Sequence, residues 1–158
     1  MPHRRREVSR VEGLSDAVFA FAITLLIVSL EVPKTFDELL HVMRAFPAFA
    51  ISFALLFQIW WRHYRFFRQY DLEDATVIAL TGVLLFVVLF FVYPLKFLWS
   101  LLFLQVTEHA TGQEMISLRQ VPLLFFIYSG GVAATFGILA LLYRHAWRCR
   151  AQLELNPV

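Results

Sequence analysis

Residues 10–33, RVEGLSDAVFAFAITLLIVSLEVP, constrain this chain more than any other stretch. The core of the stretch, residues 17–30, is apolar except for Thr24 and Ser29, and Asp16 and Glu31 bracket it. A helix needs about 20 apolar residues to cross the hydrocarbon of a bilayer. The core alone falls short, so the two carboxylates must sit near the interfaces or face protein or water. A carboxylate turned toward lipid costs roughly 2.5–3.5 kcal/mol at mid-depth on insertion scales. The stretch therefore predicts a spanning helix with one face turned away from lipid.

The rest of the chain supports a membrane setting. It is 59% hydrophobic and only 16% charged, with 17 Phe, whereas a soluble domain carries about 25% charged residues. That is more apolar surface than one soluble core can hide, so an integral membrane protein is expected. Cys149 is the single cysteine, which excludes an intrachain disulfide. The start, MPHRRR, has the charge of a signal-peptide n-region. However, Arg10, Glu12 and Asp16 delay the apolar region, and no clean small-residue cleavage site follows, so the first helix is expected to be retained. The arginines lie beside apolar runs; the expected partner is the bilayer, not nucleic acid.

Four spans are predicted, giving an all-α polytopic transmembrane helix bundle. Residues 1–12 form a basic arm. Spans follow at about 14–32, 39–61, 75–93 and 121–143 within a membrane domain of residues 13–147, and residues 148–158 form a tail. Pro33 ends span one, Pro47 is expected to kink span two, and Pro94 to end or kink span three. Residues 96–104 either extend that helix or lie along the interface. Asp71, Glu73 and Asp74 suit the dipole at the start of span three. Gly130 and Gly131 in span four would allow close approach of another helix.

Charge placement orients the spans. One side receives Arg4, Arg5, Arg6 and Arg10, then Arg62, Arg65 and Arg68, then Arg144, Arg148 and Arg150. The other receives Lys34, Lys96 and Arg119, with Arg44 near a span end. Cytoplasmic loops carry the excess of Lys and Arg, so both termini are expected in the cytoplasm of a cell whose inner membrane holds the protein.

Enzyme signatures are missing. The chain has no G-x-x-x-x-G-K-[ST], G-x-S-x-G, H-E-x-x-H or C-x-x-C, and its histidines, His3, His41, His63, His109 and His145, are dispersed rather than clustered as zinc ligands are. No enzyme activity and no cofactor is expected. The T-V-G-Y-G carbonyl filter is also absent, so any ion path must use side chains. Span one is the best candidate to line one. Ala17, Phe21, Thr24, Leu25 and Val28 recur at steps of three and four and share a face. Two readings stand at this point. The stripe packs in a bundle, with Thr24 bonded back to a carbonyl one turn earlier, or it lines a pore; periodicity alone favours packing.

The residues from Arg10 to Leu26 add a resemblance. RVEGLSD resembles the R-x-x-x-F-S-D signature of the lysosomal potassium channel family, in its bacterial branch, and AVFAFAITLL looks like that family's first helix. Trp60 and His63 resemble a W-x-x-H pattern at the end of span two. The match has departures: Leu14 stands where the motif has Phe, Phe21 where relatives place Ile or Leu, and Val28 where Leu is common.

The resemblance implies a homotetramer whose first helices line a central path for passively flowing potassium ions. Phe21, Leu25 and Val28 would form an apolar constriction, and Thr24 hydroxyls would replace part of the ion's hydration shell. Arg10, Ser15 and Asp16 would support the helix through Trp60 and His63. Bacterial relatives usually have six spans, and the sequence reaches Val158 about where a fifth would begin. The alternatives are a non-conducting structural or partner subunit or a truncated channel, and, less favoured, a secondary transporter with broken helices at Pro47 or Gly130–Gly131.

Overall fold

The structure, a computed structural model, describes residues 8–28, 33–44, 46–107 and 119–149. Among them are five helices: α1 (Arg10–Val28), α2 (Phe36–Arg44), α3 (Phe46–Tyr70), α4 (Ala75–Thr107) and α5 (Val121–Arg148). No strand occurs among the described residues. Residues 39–61, read from sequence as one kinked span, are helical on both sides of Ala45, which lies outside the described residues. Pro47 is itself helical. Pro94 lies within α4, which runs on to Thr107.

Local chemistry sets the helix ends. Ser9 precedes α1, and its hydroxyl accepts from the Glu12 N–H at 3.1 Å. The S-x-x-E spacing is that of a capping box. Asp71 closes α3 with a positive φ of 50°, a left-handed conformation that Asp tolerates, while its N–H bonds to the Phe67 carbonyl at 3.2 Å. Asp74 opens α4: its carbonyl accepts from Ile78 at 3.1 Å and its carboxylate from the Val77 N–H at 3.4 Å.

α4 is the central helix and packs against α1, α3 and α5. It buries Val77, Thr81, Leu84, Val88 and Val92, one residue per turn along its length. α1 contributes Phe19, Ala22 and Leu26, α3 contributes Leu56, Phe66 and Phe67, and α5 contributes Ile138, Leu139 and Leu142. Of Gly130 and Gly131, only Gly131 meets a neighbour: a Cβ there would overlap the Phe91 ring, whereas one on Gly130 would meet nothing. The Tyr128 hydroxyl also donates to the Pro94 carbonyl. The α4–α5 seam is therefore set by two aromatic rings.

Many large apolar side chains lie on the outer surface. Phe86, Phe90, Phe125 and Phe126 are 69–75% exposed. Water around such rings would cost the burial energy that hydrocarbon does not, so this is a surface for lipid. Among the described residues, two stretches are long and apolar enough to cross a membrane by composition, Ala75–Leu95 and Val121–Arg148, with mean hydropathies of 2.8 and 1.9.

Candidate functional site

α1 divides into two faces. The inner face, at steps of three and four, is Glu12, Ser15, Phe19, Ala22 and Leu26, all buried. The outer face carries Leu14, Ala17, Ala20, Phe21 and Thr24, all exposed, with Phe21 at 57%. Leu25 lies at the margin, half-buried against the core. Val28 is the last residue of α1; its side chain and Glu31 lie outside the described residues. Nothing else among the described residues covers the outer face.

Hydroxyls on both faces are bonded to their own helix. Ser15 Oγ donates to the Val11 carbonyl at 2.7 Å, and Thr24 Oγ1 donates to the Ala20 carbonyl at 2.9 Å. This is the usual route by which a hydroxyl enters a helix without an unsatisfied proton. For Thr24 it has a further effect. The hydroxyl commits its only proton to that bond, so the oxygen lone pairs are left as acceptors on an exposed face.

Asp16 and Trp60 meet. The indole Nε1 donates to Asp16 Oδ1 at 2.7 Å. Trp60 belongs to an aromatic row down one face of α3: Phe46, Phe49, Phe53, Phe57, Trp60 and Tyr64, successive ring centroids being 5.3–6.3 Å apart. Arg68 continues it, its guanidinium 5.8 Å from the Tyr64 ring. The 3- and 4-residue spacing of these aromatics was visible in the sequence. That Trp60 of this row reaches Asp16 of α1 was not.

His63 is held elsewhere. It is buried, its ring 6.1 Å from Phe19 and 4.9 Å from Phe67, with Nε2 3.4 Å from Thr81 Oγ1. It thus joins α1, α3 and α4, and its polar partner is Thr81 rather than Asp16. Thr81 was missed in the sequence; the available signal was a hydroxyl in the middle of the most apolar helix. Arg10 is exposed and makes no hydrogen bond or ion pair among the described residues.

A second polar cluster joins the start of α4 to the end of α5. His145 Nε2 lies 2.8 Å from Asp74 Oδ2, and the same nitrogen is 3.8 Å from Cys149 Sγ. Burial pushes the Asp74 carboxyl up, but the hydrogen bond and charge of His145 and the Val77 N–H outweigh it and hold the group below its ordinary value of 3.8. A nucleophile, base and orienting acid need both ring nitrogens. Here one nitrogen serves both contacts, so the cluster is a clasp and not a catalytic triad. No group of three or more metal-ligating side chains occurs among the described residues.

Comparison with known proteins decides the family. Residues 10–92 match the family described as endosomal/lysosomal potassium channel TMEM175. The chain belongs to the TMEM175 family. It is 40% identical over 160 residues to a potassium channel of Marivirga tractuosa, covering 97% of this chain and 65% of that protein. It is 34% identical over 96 residues to a potassium channel of Chamaesiphon minutus, covering 56% of this chain and 47% of that one. The chain thus spans about two thirds or less of the length of these relatives. A crystal structure of a variant of the potassium channel MtTMEM175, bound to a nanobody–MBP fusion, superposes with a TM-score of 0.86 at 38% identity. That match covers 97% of this chain and 69% of that one. The lysosomal potassium-selective TMEM175 homolog from Chamaesiphon minutus superposes at 0.66 and 28% identity, over 92% of this chain and 74% of that one. As a TMEM175 member, the chain is a membrane protein with an all-α transmembrane bundle.

Proposed function

We propose that this chain is a subunit of a potassium-selective channel that conducts passively along a path lined by α1. The observation that carries the reading is the uncovered outer face of α1, with Ala17, Phe21 and Thr24 exposed while the opposite face is buried. A helix of an isolated protomer has no reason to leave Thr24 outward beside small and apolar residues unless lipid or other copies meet it there. Four copies around an axis would bring four such faces together. The names of the matched relatives supply the ion.

In this arrangement Phe21, with Leu25 and Val28, forms an apolar constriction that gates by dewetting. Thr24 oxygens, their protons engaged by the Ala20 carbonyl, serve as acceptors for a partly dehydrated cation. Ser15, Asp16, Trp60 and His63 hold the helix, Arg10 making no bond among the described residues, and no cofactor takes part. Span one is α1, span two is α3, and α4 and α5 complete a four-span unit. The arginines of the arm, of the α3 end and of the tail lie on the cytoplasmic side of the inner membrane. A second reading, a non-conducting partner subunit, is favoured by the bulk of Phe21, since four such rings at one level would narrow a path severely.

Potassium flux into liposomes holding the purified chain, with sodium as control and oligomer size measured in the same detergent, tests the reading. Selective flux from a tetramer supports it. A stable tetramer without flux supports the partner-subunit reading, and a monomer without flux removes the shared path. A cysteine at Val8, in a Cys149→Ser background, should resist labelling from outside the cell; ready labelling would reverse the orientation.

A further inference from the structure

Between α3 and α5, above the middle of α4, the bundle leaves a groove where a helix–helix seam could have formed. Leu55 and Ile59 form one wall, Val132 and Phe136 the other, and Val88 and Phe91 the floor. It holds about 470 Å³ of unfilled space, part of it open to the surroundings. The lining is almost wholly apolar. The Thr135 hydroxyl on its edge is spent on the Gly131 carbonyl at 2.9 Å. Gln58 is the other polar residue of the lining, so the slot offers water few partners.

One end of the groove is basic. Arg62 lies one turn beyond Ile59 on the same face of α3, its guanidinium 5.5 Å from the Phe136 ring centroid. The Tyr143 hydroxyl donates to the Arg62 backbone carbonyl at 3.2 Å, which ties α5 to α3 at this level. Arg65, a further turn on, acts electrostatically on the same tyrosine. Both guanidinium groups are exposed, and neither pairs with a carboxylate among the described residues. From Leu55 to Arg62 the groove is about 10 Å long at the helical rise. An apolar slot about a third as long as the hydrocarbon is thick, ending in two unpaired cations, has the chemistry of a lipid site, since basic pockets between transmembrane helices bind anionic headgroups.

We propose that this groove binds an anionic phospholipid. One acyl chain lies along Leu55, Ile59 and Val132, and the phosphate meets Arg62 and Arg65. The assignment rests on the bundle alone and stands whether or not the chain conducts.

Native mass spectrometry of the intact purified assembly, loaded with phosphatidylglycerol or phosphatidylcholine, tests it. Phosphatidylglycerol should be retained in preference. Arg62→Gln with Arg65→Gln should lower its retention about thirtyfold, at about 1 kcal/mol per arginine, while Arg68→Gln, whose guanidinium stacks on Tyr64 instead, should leave it unchanged. Val132→Trp, which fills the slot, should remove retention of both lipids. Equal retention of the two lipids, or an equal loss with Arg68→Gln, would overturn the site. So would displacement by millimolar inorganic phosphate, the mark of a soluble-anion site. Lipid on the isolated protomer but not on the assembly would mean that a second copy fills the groove, and would also overturn the proposal.

Discussion

The indole of Trp60 donates to Asp16 at 2.7 Å, linking residues 44 positions apart on α3 and α1. Asp16 stands at the rim between the two faces of α1, so the bond fixes the rotation of that helix about its own axis. A turn of about 100° per residue separates the buried Ser15 from the exposed Asp16 and Ala17. Without a cross-link at this rim, packing of Phe19 and Ala22 alone would set which side faces outward.

Trp60→Phe keeps an aromatic ring, a smaller one, and removes the donor. It should lower stability by about 1 kcal/mol, and Asp16→Asn by a similar amount. The double variant should cost less than the sum, because both remove one bond. Reversible unfolding in detergent measures the cycle, and a coupling energy of zero would show that the bond contributes nothing.

The two adjacent glycines of α5 should behave oppositely. Gly131→Ala drives a methyl into the Phe91 ring and should destabilise by about 1–3 kcal/mol. Gly130→Ala meets open space and should be neutral or gain up to about 1 kcal/mol from helix propensity. Thermal shifts of the same sign for both would place the α4–α5 seam elsewhere.

Thr24→Val conserves shape and removes the exposed oxygen. On the channel reading it should move the reversal potential under potassium–sodium gradients toward the non-selective value. Phe21→Ala, which opens the apolar constriction, should raise resting flux. An unchanged reversal potential excludes Thr24 from ion contact, and an unchanged flux puts Phe21 off the path.

The Asp74–His145 clasp makes one acid-limb prediction. The folded Asp74 carboxyl titrates below its ordinary value of 3.8. Its contribution to stability is therefore fully present above that value and is lost as pH falls through the lower, folded one. Asp74→Asn should flatten the melting temperature over this acid range, compared with the parent. Identical acid limbs for the two proteins would assign the loss to other carboxylates.

Much of the architecture was legible in the order of residues. Apolar runs of spanning length, broken by Pro33 and by the charged segments at 34–38 and 71–74, announced a helical membrane protein. The Arg10–Leu26 stretch pointed to the family that residues 10–92 match. The S-x-x-E spacing of Ser9 and Glu12 at the start of α1 is legible in the sequence as well.

The sequence by itself determined that these helices form and that they belong in lipid, because hydrophobicity and helical periodicity are properties of neighbours along the chain. Only the tertiary structure decided which face of each helix is covered. α1 is apolar nearly all round, so its pattern has no preferred side; Phe19, Ala22 and Leu26 turn inward because they fit α3 and α4, and Phe21 and Thr24 are left outward. The pairing of His63 with Thr81, the seat of Phe91 against Gly131 and the groove between α3 and α5 depend on distances between separate helices. Those distances follow from side-chain shape in three dimensions, which no one-dimensional pattern encodes.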